Sequence, residues 1–330
     1  MVRPTACIWL LCLSYPPSVC ARQAPALRTP PPLPADTSAY EKGPPRFDIL
    51  LQVRADFPRT GTENSSFFLR KAELGVKGHI GAHTDFSLEL DPVRSGDPFR
   101  RTYIRLSHLP FLHFKLGLEK APIGLEELLP TASQPFVDRS AVSDRFAAAE
   151  ELGVHLESRS TRWLFQFSVT NGGRRLLRDD NEAKDFSGRV VWAPFEWLSA
   201  GVATLQGKRG PDSDQWDRYN AELKLGTVSR GFQTEVYRAR DVGVWSTAFY
   251  AASFWDFALR AGQPVRLQPV ARYEQVSRGD NARDEELSLL TMGMSVLFQG
   301  HASKLQLNYL VDLRRGFEED ALRVQWQVEF

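Results

Sequence analysis

The stretch Ala321-Leu-Arg-Val-Gln-Trp-Gln-Val-Glu-Phe330, at the end of the chain, decides the fold class. Apolar residues from Leu322 to Phe330 occupy every second position, and the residues between them are polar. Strict alternation is the period of a β-strand with one apolar face and one wet face. Such a strand at the carboxyl terminus is typical of a membrane-spanning β-barrel, because the final strand must close against the first.

The composition is compatible with a barrel and argues against a helical membrane protein. Hydrophobic residues make up 42% of the chain, charged residues 25%, and the formal net charge is +1. Beyond the amino-terminal segment, no apolar run approaches the ~20 residues that a spanning helix requires. A barrel needs no such run, because only every second residue of a strand meets lipid.

The amino terminus has the features of a secretory signal. A basic start is followed by the apolar stretch Ala6–Leu13, and Val19-Cys20-Ala21 offers a cleavage site. We therefore assign residues 1–21 to a signal peptide. A lipid on Cys20 is the alternative, although Val19 is larger than the small residue that usually precedes a lipidated cysteine. All three cysteines lie in this segment, so the exported chain escapes disulfide mispairing in an oxidising compartment.

A proline-rich stretch separates the signal from the predicted barrel. Residues 22–45 carry seven prolines, a composition that predicts an extended, disordered periplasmic leader. The alternating pattern begins at Arg46 and continues to Phe330. The predicted organisation is a signal peptide at 1–21, a leader at 22–45 and an outer-membrane β-barrel at 46–330.

From residue 46 onward, about sixteen alternating segments are joined by connections of alternating length. Connections after odd-numbered segments are mostly long and polar, such as Ala121–Ala149 and Gly207–Gln215, whereas those after even-numbered segments are short, such as Gly81–His83. Bacterial barrels of even strand number have this asymmetry, with both termini in the periplasm. Asp256–Pro264 departs from the rule. The sequence predicts an all-β protein, a transmembrane antiparallel up-and-down barrel of about sixteen strands.

Tryptophans mark the ends of several predicted strands. Trp192, Trp197 and Trp216 all lie near segment boundaries. Aromatic girdles at the membrane interface place such residues there. We therefore expect these three side chains to face the membrane interface.

Several stretches resemble the phosphate-selective porin O and P family. Residues 67–78 (FFLRKAELGVKG) are similar to an early strand of that family. Residues 116–127 (LGLEKAPIGLEE) are similar to the exit of the fifth strand into the third loop, and residues 136–140 to the return of that loop. Residues 290–297 and 304–309 are similar to the penultimate hairpin. The resemblance implies a sixteen-stranded porin, usually a homotrimer, whose third loop folds into the lumen as a constriction.

The charges of the predicted barrel are balanced. Without the four basic and two acidic residues of the first 45, the chain has 37 basic and 38 acidic residues. A phosphate-specific channel should carry a cationic excess along its path. We therefore predict that the open channel is only weakly ion-selective.

Candidate pore-lining and constriction residues flank the third loop, and two readings of them stay open. Either the cations form a local anion site, or the charges pair across strands and solvate a wet lumen. Lys120 and Arg139 best match the basic positions near the constriction that the resemblance implies. The full set is Lys71, Lys77, Arg101, Arg105, Lys115, Lys120, Glu126, Glu127 and Arg139.

The predicted function is passive diffusion of small hydrophilic solutes, including anions such as phosphate or polyphosphate, through an outer-membrane porin. No catalytic constellation, metal site or cofactor motif stands out, so we do not expect an enzyme, and no basic patch is long enough for nucleic acid. Expected partners are outer-membrane lipid and lipopolysaccharide, the barrel-assembly machinery at the strand ending in Phe330, and further copies in a homotrimer. The alternatives are a narrow or non-conducting barrel with a structural or adhesive role, and a secreted soluble β-sandwich.

Overall fold

The computed structural model describes residues 43–58, 64–173, 181–210, 212–227, 229–259, 264–279, 286–314 and 320–330. Within them, sixteen strands form one continuous antiparallel sheet, and β1 pairs with β16 so that the sheet closes into a barrel. The predicted all-β barrel is confirmed. The strands are β1 Arg46–Pro58, β2 Ser66–His79, β3 Thr84–Leu90, β4 Thr102–Leu109, β5 Leu112–Lys120, β6 Glu150–Arg159, β7 Trp163–Thr170, β8 Asp185–Phe195, β9 Leu198–Arg209, β10 Asp214–Gly226, β11 Arg230–Asp241, β12 Val244–Trp255, β13 Arg266–Arg278, β14 Leu287–Leu297, β15 Ser303–Asp312 and β16 Ala321–Glu329.

The carboxyl-terminal strand forms the seam of the barrel. It pairs with β1 from Leu50 opposite Glu329 to Pro58 opposite Ala321. The backbone N–H of Phe330 donates to the carbonyl of Ile49 at 2.9 Å. Because this strand satisfies the hydrogen-bonding groups of β1, no sheet edge is left in the apolar layer at the seam.

Alternation along the strands separates an apolar outer face from a polar inner face. On β16 the outward Trp326 is 49% exposed, whereas the inward Gln327 is fully buried. The Gln327 side chain accepts a hydrogen bond from Gln52 of β1 at 2.8 Å across the seam. An outward apolar surface of this kind fits lipid, and the inward amides satisfy one another without charge.

Two connections differ from the sequence prediction. The predicted long connection Gly207–Gln215 is wrong, because β9 continues to Arg209 and β10 begins at Asp214. The ladder needs only backbone groups, so it continues into residues that are polar on both faces of the sheet. After β12, the two residues Phe257–Ala258 pair with β13 and prolong that hairpin, which accounts for part of the unusual length of Asp256–Pro264.

The tryptophan prediction holds for two of three side chains. Trp192 and Trp197 lie on the outer face and are 43% and 53% exposed. Trp216 is buried, and its ring lies 3.9 Å from the guanidinium carbon of Arg209 and 4.1 Å from that of Arg218. The prediction that Trp216 faces the membrane interface is wrong. Trp216 and Arg218 are two residues apart on β10, so both side chains point into the barrel, where the Trp216 ring packs against cations.

The hairpin between β11 and β12 contains a strained turn. Val242 and Gly243 form its two-residue connection, with φ values of 48° and 85°. Both positions of such a turn need positive φ, which asparagine followed by glycine adopts readily and a β-branched residue does not.

We expect Val242→Asn to raise the free energy of unfolding by about 1 kcal/mol. The urea midpoint of unfolding in detergent measures this effect, with Gly243→Val as the destabilising control; equal midpoints for Val242→Asn and wild type would contradict it.

Candidate functional site

The connection between β5 and β6, Ala121–Ala149, is the longest stretch between neighbouring strands within the described residues. We call it the β5–β6 segment. It contains α1 (Leu125–Leu128), a 3-10 turn (Thr131–Ser133) and α2 (Ala141–Phe146). No described helix is long and apolar enough to cross a membrane. Most of the segment is buried, and side chains from β1, β2, β11, β13, β15 and β16 bond to it.

Glu235 on β11 anchors the beginning of α1. Its carboxylate is fully buried and accepts hydrogen bonds from the backbone N–H of Leu125 (2.9 Å) and Glu126 (2.7 Å) and from the side chains of Asn220 (3.0 Å), Tyr237 (2.8 Å) and Tyr250 (2.8 Å). The first N–H groups of a helix have no partner within the helix, so a carboxylate there satisfies them. Five donors therefore fix one end of the segment to the barrel wall.

Close approach at this anchor requires a glycine. Gly124 has φ +89°, and a Cβ atom there would lie 2.4 Å from the hydroxyl oxygen of Tyr237 and 3.1 Å from the Cβ of Ala147. Any larger residue would push the segment away from β11. The separation of segment and wall at this point is thus set by the missing side chain.

Arg272 and Glu274 on β13 hold the return of the segment. The Arg272 guanidinium donates to Glu126 at 3.1 Å and to the backbone carbonyl of Asp138 at 3.0 Å. Glu274 accepts from the Arg272 Nε at 2.7 Å and from the backbone N–H of Ala141 at 2.6 Å. Arg272, Glu126 and Glu274 are buried, so two carboxylates share one guanidinium out of contact with water.

A third anchor comes from β15 and β16. The fully buried Lys304 donates from Nζ to the carbonyls of Ala132 (2.8 Å) and Gln134 (2.6 Å). Gln327 also donates to Ala132, at 3.0 Å, and Asn308 accepts from the backbone N–H of Val137 at 2.7 Å. Side chains of the wall therefore provide hydrogen-bond partners for backbone groups of the segment that lie outside helices and strands.

Asp138 lies between two arginines of neighbouring strands. Arg54 of β1 donates to it at 2.8 Å and Arg323 of β16 at 2.7 Å. Burial alone would raise the pKa of Asp138, but the positive charges of Arg54, Arg323 and Arg70 outweigh that effect and lower it. The carboxylate therefore stays ionised at neutral pH and ties the segment to the seam.

Lys120 and Arg139 belong to the segment's own framework. Lys120 donates from Nζ to the carbonyl of Glu127, whose carboxylate lies 3.5 Å away. Arg139 lies 3.2 Å from the other oxygen of the same carboxylate and donates to carbonyls of Glu126 and Leu129. The structure brings Lys120, Glu126, Glu127 and Arg139 together, with each cation beside a carboxylate.

The remaining candidates form pairs along the wall of β2–β5. Each cation lies near a carboxylate on its own or an adjacent strand, an arrangement that cancels charge locally. Lys71 is near the β5–β6 segment, where it also reaches Thr131 at 3.4 Å. The pairs are Lys71–Glu73 (2.7 Å), Lys77–Glu89 (3.2 Å), Lys77–Asp48 (3.2 Å), Arg101–Glu89 (3.0 Å), Arg105–Asp85 (2.7 Å) and Lys115–Glu119 (2.7 Å).

A cavity of about 640 Å³ separates this wall from the segment. On the wall it is lined by both charge signs, including Lys77, Glu89 and Lys115. On the segment it is lined by apolar residues, including Leu128 and Pro130. Across the whole barrel wall, which here also includes Arg159, Arg189 and Lys224, eight basic and six acidic side chains line the cavity. The wall side therefore carries a small cationic excess, and the segment side is mostly apolar.

Asp144 adds a titratable group to the segment. It lies on α2, and its side chain is accessible. The protein around it desolvates the carboxyl group and, with Glu127 and Glu126, raises the pKa of Asp144 to about 6, against the effect of Arg139. Its negative charge is present at pH 7 and is lost as the pH falls below about 6.

The anchoring residues carry no signal in the sequence that separates them from other inward-facing charges. Glu235, Arg272, Glu274 and Lys304 are inward by alternation alone, and so are charges that contact no part of the segment. One weak signal is the set of amides on the inward faces of β15 and β16, such as Gln306 and Gln327. Amides at the seam can hydrogen-bond to the backbone of the segment without adding charge, as Gln306 and Gln327 do here.

Among the described residues, no group of three or more acidic, histidine or cysteine side chains is arranged to hold a metal ion.

Comparison with known proteins agrees with this architecture. A profile of the family described as "Phosphate-selective porin O and P" matches residues 47–227. An uncharacterised protein of Caulobacter vibrioides (strain ATCC 19089 / CIP 103742 / CB 15) is 23% identical over 283 residues, which cover 74% of this chain and 57% of that protein. The chain thus spans little more than half the length of this relative.

Solved barrels of low sequence identity share the fold. OmpF of Salmonella typhi, in complex with daunomycin, is 11% identical with a TM-score of 0.65 over 87% of this chain and 97% of that chain. The anion-selective porin from Comamonas acidovorans is 14% identical with a TM-score of 0.59 over 87% and 99%. The trimer form of OmpT from Vibrio cholerae is 9% identical with a TM-score of 0.59 over 88% and 100%. With its closed barrel the protein resides in the outer membrane, and because the profile covers more than half of the sequence, the chain belongs to the phosphate-selective porin O and P family.

Proposed function

We propose that the protein is a passive outer-membrane porin whose β5–β6 segment narrows the lumen and leaves a path along the wall of β2–β5. The observation that carries this proposal is the cavity between that wall and the segment. Pores select by width, charge and polar lining. A channel of this kind moves solutes down their gradient and needs no turnover chemistry.

The lining favours small hydrophilic solutes without strong preference for either charge. Lys77, Arg101 and Lys115 each have a carboxylate within ion-pair distance. Lys120 and Arg139, which the family resemblance places near the constriction, share Glu127. Paired charges present little net field to a passing ion, so this arrangement supports weak selectivity and weighs against a strong local anion site.

Reconstitution in planar bilayers tests both parts of the proposal. We expect discrete conductance steps, and in a salt gradient we expect a permeability ratio of anion to cation between roughly one third and three. A reversal potential close to the ideal anion value would overturn weak selectivity. Folded protein that inserts without conductance would instead favour a barrel with a structural or adhesive role, for which the dense contacts of the segment are the supporting observation.

Assembly and processing extend the proposal beyond the single barrel. We propose a homotrimer, in line with the trimer form described for OmpT of Vibrio cholerae, and recognition of the strand ending in Phe330 by the assembly machinery.

Residues 1–42, at the amino terminus, lie outside the described residues. The division into a signal at 1–21, a leader at 22–45 and a barrel at 46–330 stays a prediction, and mass determination of the exported protein tests its first boundary.

A further inference from the structure

Charged residues on the outer face of the strands gather at one place. By alternation along β9, β10 and β11, the side chains of Lys208, Asp217, Arg238 and Arg240 point outward. All four lie near the extracellular ends of their strands, opposite the end where β1 begins and β16 finishes. The group has a net charge of +2 on a surface that otherwise meets lipid.

The two arginines of this group surround an aromatic ring. The guanidinium carbon of Arg238 lies 4.9 Å from the ring centre of Trp245 on β12, and that of Arg240 lies 5.5 Å from it. Trp245 also stacks on Tyr219 at 6.3 Å. Tryptophan and tyrosine in this position mark the membrane interface. The arginines are therefore held at the level of the lipid headgroups.

Neither arginine forms an ion pair with the described residues, although Asp217 lies opposite Arg240 in the strand register. Arg238 donates to the hydroxyl of Thr247 at 2.6 Å, and the Nε of Arg240 has no hydrogen-bond partner. The nearby Asp217 accepts from Gln215 at 2.5 Å. Within the described part of the chain, no carboxylate lies within ion-pair distance of Arg238 or Arg240. This differs from the inner wall, where the candidate cations are paired.

The surface below the arginines is apolar. The next outward row toward the membrane centre contains Val202, Ala221, Val236 and Phe249. A ligand at this boundary would place an anionic group on the arginines and hydrocarbon on the row below. Guanidinium groups bind phosphate through two parallel hydrogen bonds, and cations at the membrane surface attract anionic headgroups.

We propose that Arg238, Arg240 and Trp245 form a binding site on the outer wall for a phosphate group of an anionic lipid in the outer leaflet. The unpaired charge, the aromatic boundary and the apolar row below all fit such a molecule. A second copy of this chain in a three-fold assembly would have to bring a different surface to these arginines, and the oligomeric state measured below reports that outcome. The site rests on the outer-membrane location and is independent of conduction through the lumen.

Native mass spectrometry in detergent tests the site, with purified lipid A that carries two phosphates as the probe. We expect Arg238→Gln/Arg240→Gln to weaken lipid binding roughly thirtyfold, since each basic residue contributes about a fivefold effect. The matched control is Arg230→Gln, because Arg230 lies on the same face of β11 at the periplasmic end. We expect this control to bind like wild type.

Further arms separate the possible sources of anion and the possible partners. Wild type should bind dephosphorylated lipid A as weakly as the double variant binds the phosphorylated form, and excess inorganic phosphate should displace little lipid. Unchanged lipid binding in the double variant would overturn the proposal. The proposal would also be wrong if Arg230→Gln lost as much lipid binding as the double variant, or if inorganic phosphate displaced all of the bound lipid. A double variant whose oligomeric state changes while its lipid binding stays the same would contradict the proposal as well. Bilayer conductance of the double variant, expected to equal wild type, reports separately on the porin proposal.

Discussion

Replacement of Glu235 by alanine is expected to raise single-channel conductance roughly twofold or more and to increase open-channel noise. The carboxylate accepts five hydrogen bonds, two of them from the start of α1. Hydrogen bonds to charged groups contribute about 1.5–3 kcal/mol each, and buried donors without a partner are costly. We expect α1 to move away from the wall, because its N–H groups can then hydrogen-bond to water and the free-energy cost of buried donors without an acceptor is avoided. This movement widens the path.

The neighbouring carboxylate on β10 provides a matched control for this experiment. Glu222 lies opposite Glu235 in the strand register, but it binds Arg189 and not the β5–β6 segment. We therefore expect Glu222→Ala to change conductance little. Glu235→Gln keeps an acceptor oxygen and should fall between wild type and Glu235→Ala. Heat-modifiable mobility in detergent checks that each variant folds. If folded Glu235→Ala has the conductance and noise of wild type, the segment is not held by this anchor.

The double substitution Glu89→Gln/Glu119→Gln is expected to make the channel anion-selective. Glu89 neutralises Lys77 and Arg101, and Glu119 neutralises Lys115, all around the cavity. The two substitutions remove two negative charges and leave Arg101 and Lys115 beside the path without these carboxylates, whereas Lys77 keeps Asp48 at 3.2 Å. A local cationic excess concentrates anions in a narrow water-filled passage, so we expect the permeability ratio to shift toward anions on the order of fivefold.

A second variant, which removes cations and not carboxylates from the same wall, tests whether these charges lie beside the ion path. Lys77→Gln/Lys115→Gln should shift the reversal potential in the opposite direction by a similar amount. Both shifts should shrink at high salt, because exposed charges are screened. Wild-type reversal potentials in both variants would mean that ions do not pass along the wall of β2–β5, and the assignment of the path would fail.

Much of the barrel could be predicted because its signal is local. Alternation in β16 depends only on which residues meet lipid, and it correctly separates Trp326 from Gln327. The same rule fails for Trp216, because an aromatic residue can pack inside beside Arg218 as well as at the interface. It also fails where β9 and β10 extend beyond the lipid, since hydrogen bonding there no longer depends on apolar side chains.

The roles of individual charges could not be predicted in the same way. Lys120 and Arg139 were candidates for an anion site, yet their partner is Glu127 within the same segment. Glu235, which anchors that segment, stands 110 residues away from Leu125. No periodic pattern connects positions so far apart. A charge that lines the path and a charge that holds the framework have the same appearance along a strand.

The sequence by itself determined an even-numbered barrel, the face that each strand turns to lipid, and the strand that closes the seam. Two-residue periodicity and the length of connections are enough for these features, because both follow from the geometry of one strand and its neighbour. Only the tertiary structure decided which cations are neutralised, how the β5–β6 segment is anchored, and that Arg238 and Arg240 form no ion pair with the described residues of the outer wall. These depend on register and on contacts across the barrel, where a shift of a few ångströms makes or breaks an ion pair.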